Sequence, residues 1–167
     1  MLNISEKQVN VSYTTFQLVA LITLRILIGW HLLYEGLAKF VDPYWSSALY
    51  LMDSPSTFFV SIVNNPILLG IVDFLNIWGL ILIGGCLIAG LLTRTMTIAG
   101  IILLFLYYIS NPPFIGFVSP IPAEGNYLIV NKTLIELAAM VVLYLFPTGH
   151  KAGIDLLIHH WSNTSKI

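Results

Sequence analysis

Arg25-Ile-Leu-Ile-Gly29-Trp30-His31-Leu-Leu-Tyr34-Glu35-Gly36-Leu-Ala-Lys39 is the stretch whose reading decides the fold of this chain. It lies inside the run 15–41, which is apolar and long enough to cross a bilayer, because a span needs about 20 mostly apolar residues at ~1.5 Å rise each. Yet it holds an arginine, a glutamate and a lysine. An ionisable group in a span costs about 3 kcal/mol or more, so such groups normally face partners inside the protein. At ~100° per residue, Arg25, Gly29, Leu32, Gly36 and Lys39 fall on one stripe. Glu35 stands one turn before Lys39, in the favourable acid-then-base order. The two glycines leave a groove that a neighbouring helix, or a flat ligand, can approach closely. The stretch predicts a membrane helix with a polar inner face.

Composition extends that reading to the whole chain. Of 167 residues, 57% are hydrophobic and only 9% charged, with a mean hydropathy of +0.89. A soluble domain carries roughly 25% charge, so a single polytopic membrane domain is expected over 1–167. A net charge of -1 with scattered bases leaves no nucleic-acid footprint. The lone cysteine, Cys86, sits in an apolar span, which excludes an intrachain disulfide framework and a Cys-x-x-Cys pair. Residues 1–14 are polar and lack a cleavage signature, so the first span reads as a retained anchor.

Three further spans follow from the apolar runs, at about 66–92, 96–110 and 127–147. The turn Thr93-Arg94-Thr95 is so short that the second and third spans must lie antiparallel. Between the first two spans, Asp42-Pro43 and Ser54-Pro55 read as helix starts. The runs after them, about 43–53 and 55–64, are too short to cross and rich in aromatics, which predicts two interfacial helices. The segment 111–125 contains four prolines and reads as an apolar loop folded over the bundle. In the tail, 148–167, a short amphipathic surface helix is expected. The fold class is thus an all-α membrane protein: a four-transmembrane-helix bundle with short interfacial helices in the first outer loop.

Lys7, Arg94, Lys151 and Lys166 fall on the side of the termini and the short turn, which predicts cytoplasmic termini and outward-facing long loops. A bacterial cytoplasmic (inner) membrane is the expected location. Counted inward from the outer ends, Glu35 lies ~7 Å deep, Lys132 ~8 Å, Asp73 ~10 Å, Glu136 ~14 Å and Asn76 ~15 Å. Arg25 starts deeper, but its long arm can point outward. Three acids and three bases, with Lys39 at the rim, gather in one half of the bundle. The plain reading is a structural network that fixes helix register; the functional one is a pocket open to the outer leaflet. Arg25 is expected to pair with Asp73, Glu35 with Lys39, and Glu136 with Lys132.

Redox groups can be screened by residue type. His31 is the sole histidine in a span, which disfavours a haem held by two histidines and leaves His31 as a packing residue. One cysteine with dispersed histidines supplies no structural metal site, and no glycine-rich phosphate loop is present. No haem, flavin or metal site is therefore evident. Trp30, Trp78, Tyr107 and Tyr108 read first as packing or interface anchors.

The chain resembles the DoxX-like membrane protein family, which includes the DoxD-type small subunit of thiosulfate:quinone oxidoreductase. The resemblance rests on Arg25…Gly29-Trp30…Glu35-Gly36-Leu-Ala-Lys39, on Trp78-Gly79…Gly84-Gly85…Gly90-Leu-Leu-Thr-Arg94, and on Gly149-His-Lys-Ala-Gly-Ile-Asp155. Where that family often carries an acid before the second-span glycines, this chain has Asn76, with Asp73 one turn earlier. The resemblance implies a four-helix bundle linked to quinone-coupled redox chemistry, but membership alone does not establish catalysis. The expected function is a quinone- or lipid-ligand-binding subunit working with a redox partner protein among membrane lipids. Its expected site residues are Arg25, Gly29, Glu35, Gly36, Lys39, Asp73, Asn76, Lys132 and Glu136. Gly29 and Gly36 would form the slot, Arg25, Lys132 and Asn76 would donate to head carbonyls, and Glu35, Asp73 or Glu136 would relay protons. The competing expectation is a non-catalytic scaffold or a lipid- or cargo-binding protein.

Overall fold

The computed structural model describes residues 13–113 and 128–156, in which helices are joined by turns and short irregular segments, with no strand among the described residues. The predicted proline-rich loop and the surface helix of the tail lie largely outside them. The first helix, α1 (Thr15–Val41), has the predicted bounds. It starts there because Thr14 and Gln17 form a capping box, each side chain bonding the other's backbone amide.

The interfacial helices are shorter than expected: α2 is Ala48–Met52 and α3 is Thr57–Val63. Asp42 does not start a helix but ends α1, and its carboxylate accepts from the Tyr44 amide in a tight turn. The second long helix, α4 (Pro66–Ala89), opens on Asn65, whose side chain accepts from the Ile67 and Leu68 amides, with proline at the first helical position. It stops three residues short of expectation because Gly90 turns left-handed (φ 68°). The next helix, α5 (Thr93–Ser110), begins three residues early. The last described helix, α6 (Lys132–Leu145), begins at the Asn131 cap rather than at 127. At 14 residues it is about 21 Å long, whereas α1, α4 and α5 are long and apolar enough to cross a membrane.

Helices α1 and α4 pack along most of their lengths, and the glycines decide how closely. A Cβ on Gly84 would press on the Leu33 amide and lie 2.6 Å from the Gly29 carbonyl. One on Gly36 would come within 2.9 Å of the Ile81 amide and Leu80. The groove predicted on the stripe is therefore filled by a helix. Across the bundle, a Cβ on Gly100 of α5 would strike the Met140 side chain of α6. Leu32, Leu80, Leu87, Leu104 and Met140 form the sealed centre. Outward, large apolar side chains such as Leu27, Trp30, Ile71, Phe74, Leu82, Ile102, Phe105 and Ile135 are exposed on every long helix. A water-soluble domain does not leave contiguous surfaces of this kind bare. With three spanning-length helices, this is the surface of an integral membrane protein.

The register of α1 against α4 corrects the expected ion pair. Gly36 faces Leu80 and Ile81, Gly29 faces Gly84 to Ile88, and Arg25 reaches Gly90. Arg25 is thus level with the α4–α5 turn, and the N-terminal part of α1 runs past the end of α4. Asp73 lies 17 positions back along α4, about 25 Å away. Helical side chains also lean toward the N-terminus, so the arginine arm points toward the α4–α5 turn rather than the opposite end.

Candidate functional site

Two polar centres stand at opposite ends of the bundle. At the turn end, Arg25 is buried and donates to Thr148 Oγ1 at 3.0 Å and to the Ala152 carbonyl at 2.8 Å. Those acceptors belong to the segment after α6, which folds back over the α4–α5 turn. Asp155 accepts there from the Leu92 amide (2.7 Å), the Thr93 amide (3.1 Å) and the Thr93 hydroxyl (2.9 Å), capping α5. Its own amide returns to the Gly90 carbonyl at 3.0 Å. Burial pushes the Asp155 carboxyl up, but the Thr93 and Leu92 donors outweigh it and hold the group below the usual carboxylate range. A Cβ on Gly153 would meet Gly90 Cα at 2.7 Å, so the two chain segments touch backbone to backbone. The described parts of this centre are closely packed against one another.

At the loop end a cavity of about 500 Å³ opens between α1, α4, α5, α6 and the segment 42–50. Its floor is apolar, made by Leu32, Leu80 and Leu104. Lys39 dominates its wall. The ammonium donates to Asn76 Oδ1 at 3.1 Å, lies 3.8 Å from Glu35 as the helical spacing predicts, and sits over the rings of Trp45 (5.2 Å) and Tyr107 (5.6 Å). Placed in the last turn of α1, it also meets the negative end of the helix dipole. On the facing wall, His31 Nε2 of α1 meets Glu136 Oε1 of α6 at 3.2 Å. Lys132 lines the same cavity. The Tyr107 hydroxyl is buried beside Asn76 without hydrogen-bond geometry to any described atom.

Segment 42–52 roofs the cavity, and its anchoring is specific. Asp73 accepts from Ser46 Oγ (2.9 Å), the Ser47 amide (2.8 Å) and Ser47 Oγ (2.5 Å). Tyr50 donates to the Tyr107 carbonyl and receives the Asn111 side-chain amide on its own carbonyl, while Ser54 donates to the Ser110 carbonyl. Asp73, bound to the roof, is therefore no partner of Arg25.

Of the nine residues singled out in the sequence, Glu35, Lys39, Asn76, Lys132 and Glu136 line this one cavity. Gly29 and Gly36 lie in the α1–α4 contact, Asp73 holds the roof, and Arg25 is at the far end. Sequence reasoning missed His31, Trp45 and Tyr107 as cavity residues. A signal for His31 was present, since His31, Glu35 and Lys39 repeat every four residues and form a second polar stripe. No comparable signal marks Trp45 or Tyr107, which arrive through the roof and through α5. Among the described residues no group of three or more histidine, cysteine or acidic side chains could hold a metal ion. A scan against protein-family models and searches of curated proteins and solved structures return no match to this chain.

Proposed function

We propose that this chain is a DoxX-like membrane subunit that binds a quinone, or a ligand of similar shape and solubility, and serves a redox partner. In this reading α6 makes a fourth crossing, the termini are cytoplasmic, and the roofed cavity faces outward. One observation carries it: a half-enclosed lysine, held between an amide oxygen and two aromatic rings, sits at the wall of a cavity with an apolar floor. Ligand sites combine an apolar surface with a few placed polar groups. Lys39 has donor capacity beyond Asn76 and Glu35. It suits a carbonyl oxygen of a quinone head, and the flanking rings suit the plane of that head. Electrons come from the partner protein in this scheme, since the chain itself offers no cysteine pair.

The test is direct. Lipids extracted from the purified protein are identified by mass spectrometry, and a variant keeping Trp45 as its only tryptophan is titrated with a short-chain ubiquinone. Saturable fluorescence quenching, with affinity about thirtyfold weaker in Lys39→Met, is the expected outcome. Absence of a bound quinone and of quenching would leave the scaffold reading in its place.

A further inference from the structure

We infer that the cavity is filled sideways from the bilayer, through the seam between α1 and α6, with the His31–Glu136 contact as the latch across that seam. The inference rests on the cavity being a site for a lipid-soluble ligand. It also narrows that ligand to one with a compact polar head and an apolar tail left lying in the seam.

The helices form a ring in the order α1, α4, α5, α6. The contact of α1 with α4 is the most extensive and is set by Gly29, Gly36 and Gly84; α5 closes on α6 at Gly100 and Met140. The remaining side of the ring, α1 against α6, is the least closely packed of the four. The cavity reaches that side, because His31 and Glu35 of α1 and Lys132, Thr133 and Glu136 of α6 all line it. Other routes are tied down among the described residues. Overhead, the roof is bonded to α4 through Asp73 and to α5 through Tyr50, Ser54 and Asn111. Below, the floor is the buried core.

Across the seam, His31 Nε2 meets Glu136 Oε1, between side chains 32% and 19% exposed. A single partly exposed polar contact is a weak tie, worth about 1 kcal/mol, which suits an element that must open. Trp30 and Tyr34 of α1 and Ile135 of α6, all exposed, neighbour the pair in sequence and present apolar surface to lipid. A tail emerging beside them stays in an apolar medium.

The experiment measures exchange of the short-chain ubiquinone by stopped-flow quenching of Trp45 in the detergent-purified full chain. Glu136→Gln and His31→Gln are expected to raise association and dissociation rates together, by up to about fivefold, with a smaller change in their ratio. A cysteine pair at positions 31 and 136, in a Cys86→Ser background and joined by a short bifunctional reagent, is expected to stop exchange. A second pair at positions 47 and 73, which locks the roof, is expected to leave it running. Exchange that survives the seam lock overturns the inference, as do unchanged rates in both glutamine variants. A parent protein that shows no quenching at all removes the cavity reading itself, and the portal with it.

Discussion

Arg25 and Lys39 are both bases on one stripe of one helix, fourteen positions apart, and they end in opposite circumstances. Arg25 is enclosed by chain that returns from beyond α6, donates to a threonine hydroxyl and a backbone carbonyl, and leaves no space around it. Lys39 is held by an amide and two rings at the edge of a cavity of about 500 Å³. Enclosure turns a buried charge into a fastening, because both terminal nitrogens bond the protein's own oxygens and the rest of the group, Nε included, is sealed from any ligand. Partial enclosure beside empty volume leaves donor capacity for something else. The same residue class in a membrane helix thus has a structural or a binding role according to whether packing closes around it.

The contrast can be broken most sharply at Arg25. Arg25→Met strips two hydrogen bonds of a charged donor from buried acceptors and is expected to cost about 3 kcal/mol or more in thermal or denaturant unfolding in detergent. Combined with Asp73→Asn, the losses should add to within about 0.5 kcal/mol, because the two residues are too far apart to couple. A strong coupling would restore the arginine–aspartate pairing and undo the contrast.

Next in size is the α1–α4 contact that carries both bases. Gly84→Val forces a side chain onto the Leu33 amide and Gly29 carbonyl and should cost roughly 2–3 kcal/mol. Its neighbour is the control: a Cβ on Gly85 meets nothing within 4 Å, so Gly85→Ala should be neutral or stabilising by up to about 1 kcal/mol.

The binding side of the contrast is tested by Lys39→Met. Unfolding should shift by about 1 kcal/mol or less. Affinity for the short-chain ubiquinone should fall by roughly 2 kcal/mol, about thirtyfold, the value of one hydrogen bond from a charged donor. A large stability loss with affinity unchanged would make Lys39 a second fastening.

The smallest effect is expected at Asp155. Its carboxyl pKa in the folded chain lies below the unfolded value, so the anion stabilises the fold above about pH 4, and that contribution disappears as pH falls through the folded pKa. Asp155→Asn should cost about 1 kcal/mol at neutral pH and flatten the stability profile below about pH 4. An unchanged acid limb of the melting curve would remove Asp155 from the turn-end fastening.

The spans were legible because hydrophobic run length and capping chemistry are local. Thr14, Asn65 and Gly90 mark helix ends through bonds to residues within four positions, and the Glu35–Lys39 contact needs only helical spacing. Composition alone placed the chain in a membrane. Five of the nine residues chosen from the sequence meet in one cavity because polar groups at similar depths in a bundle have few places to go. What the sequence could not determine was register between helices. The depth reckoning aligned every span at its outer end, whereas close approach at Gly29, Gly36 and Gly84 slides α1 along α4 until Arg25 stands beside Gly90. That shift sends Arg25 to the returning segment 148–155, leaves Asp73 to the serines of the roof, and brings Trp45 and Tyr107 over Lys39. Van der Waals contact between segments more than forty positions apart sets it, and such contact has no periodicity to read along the chain.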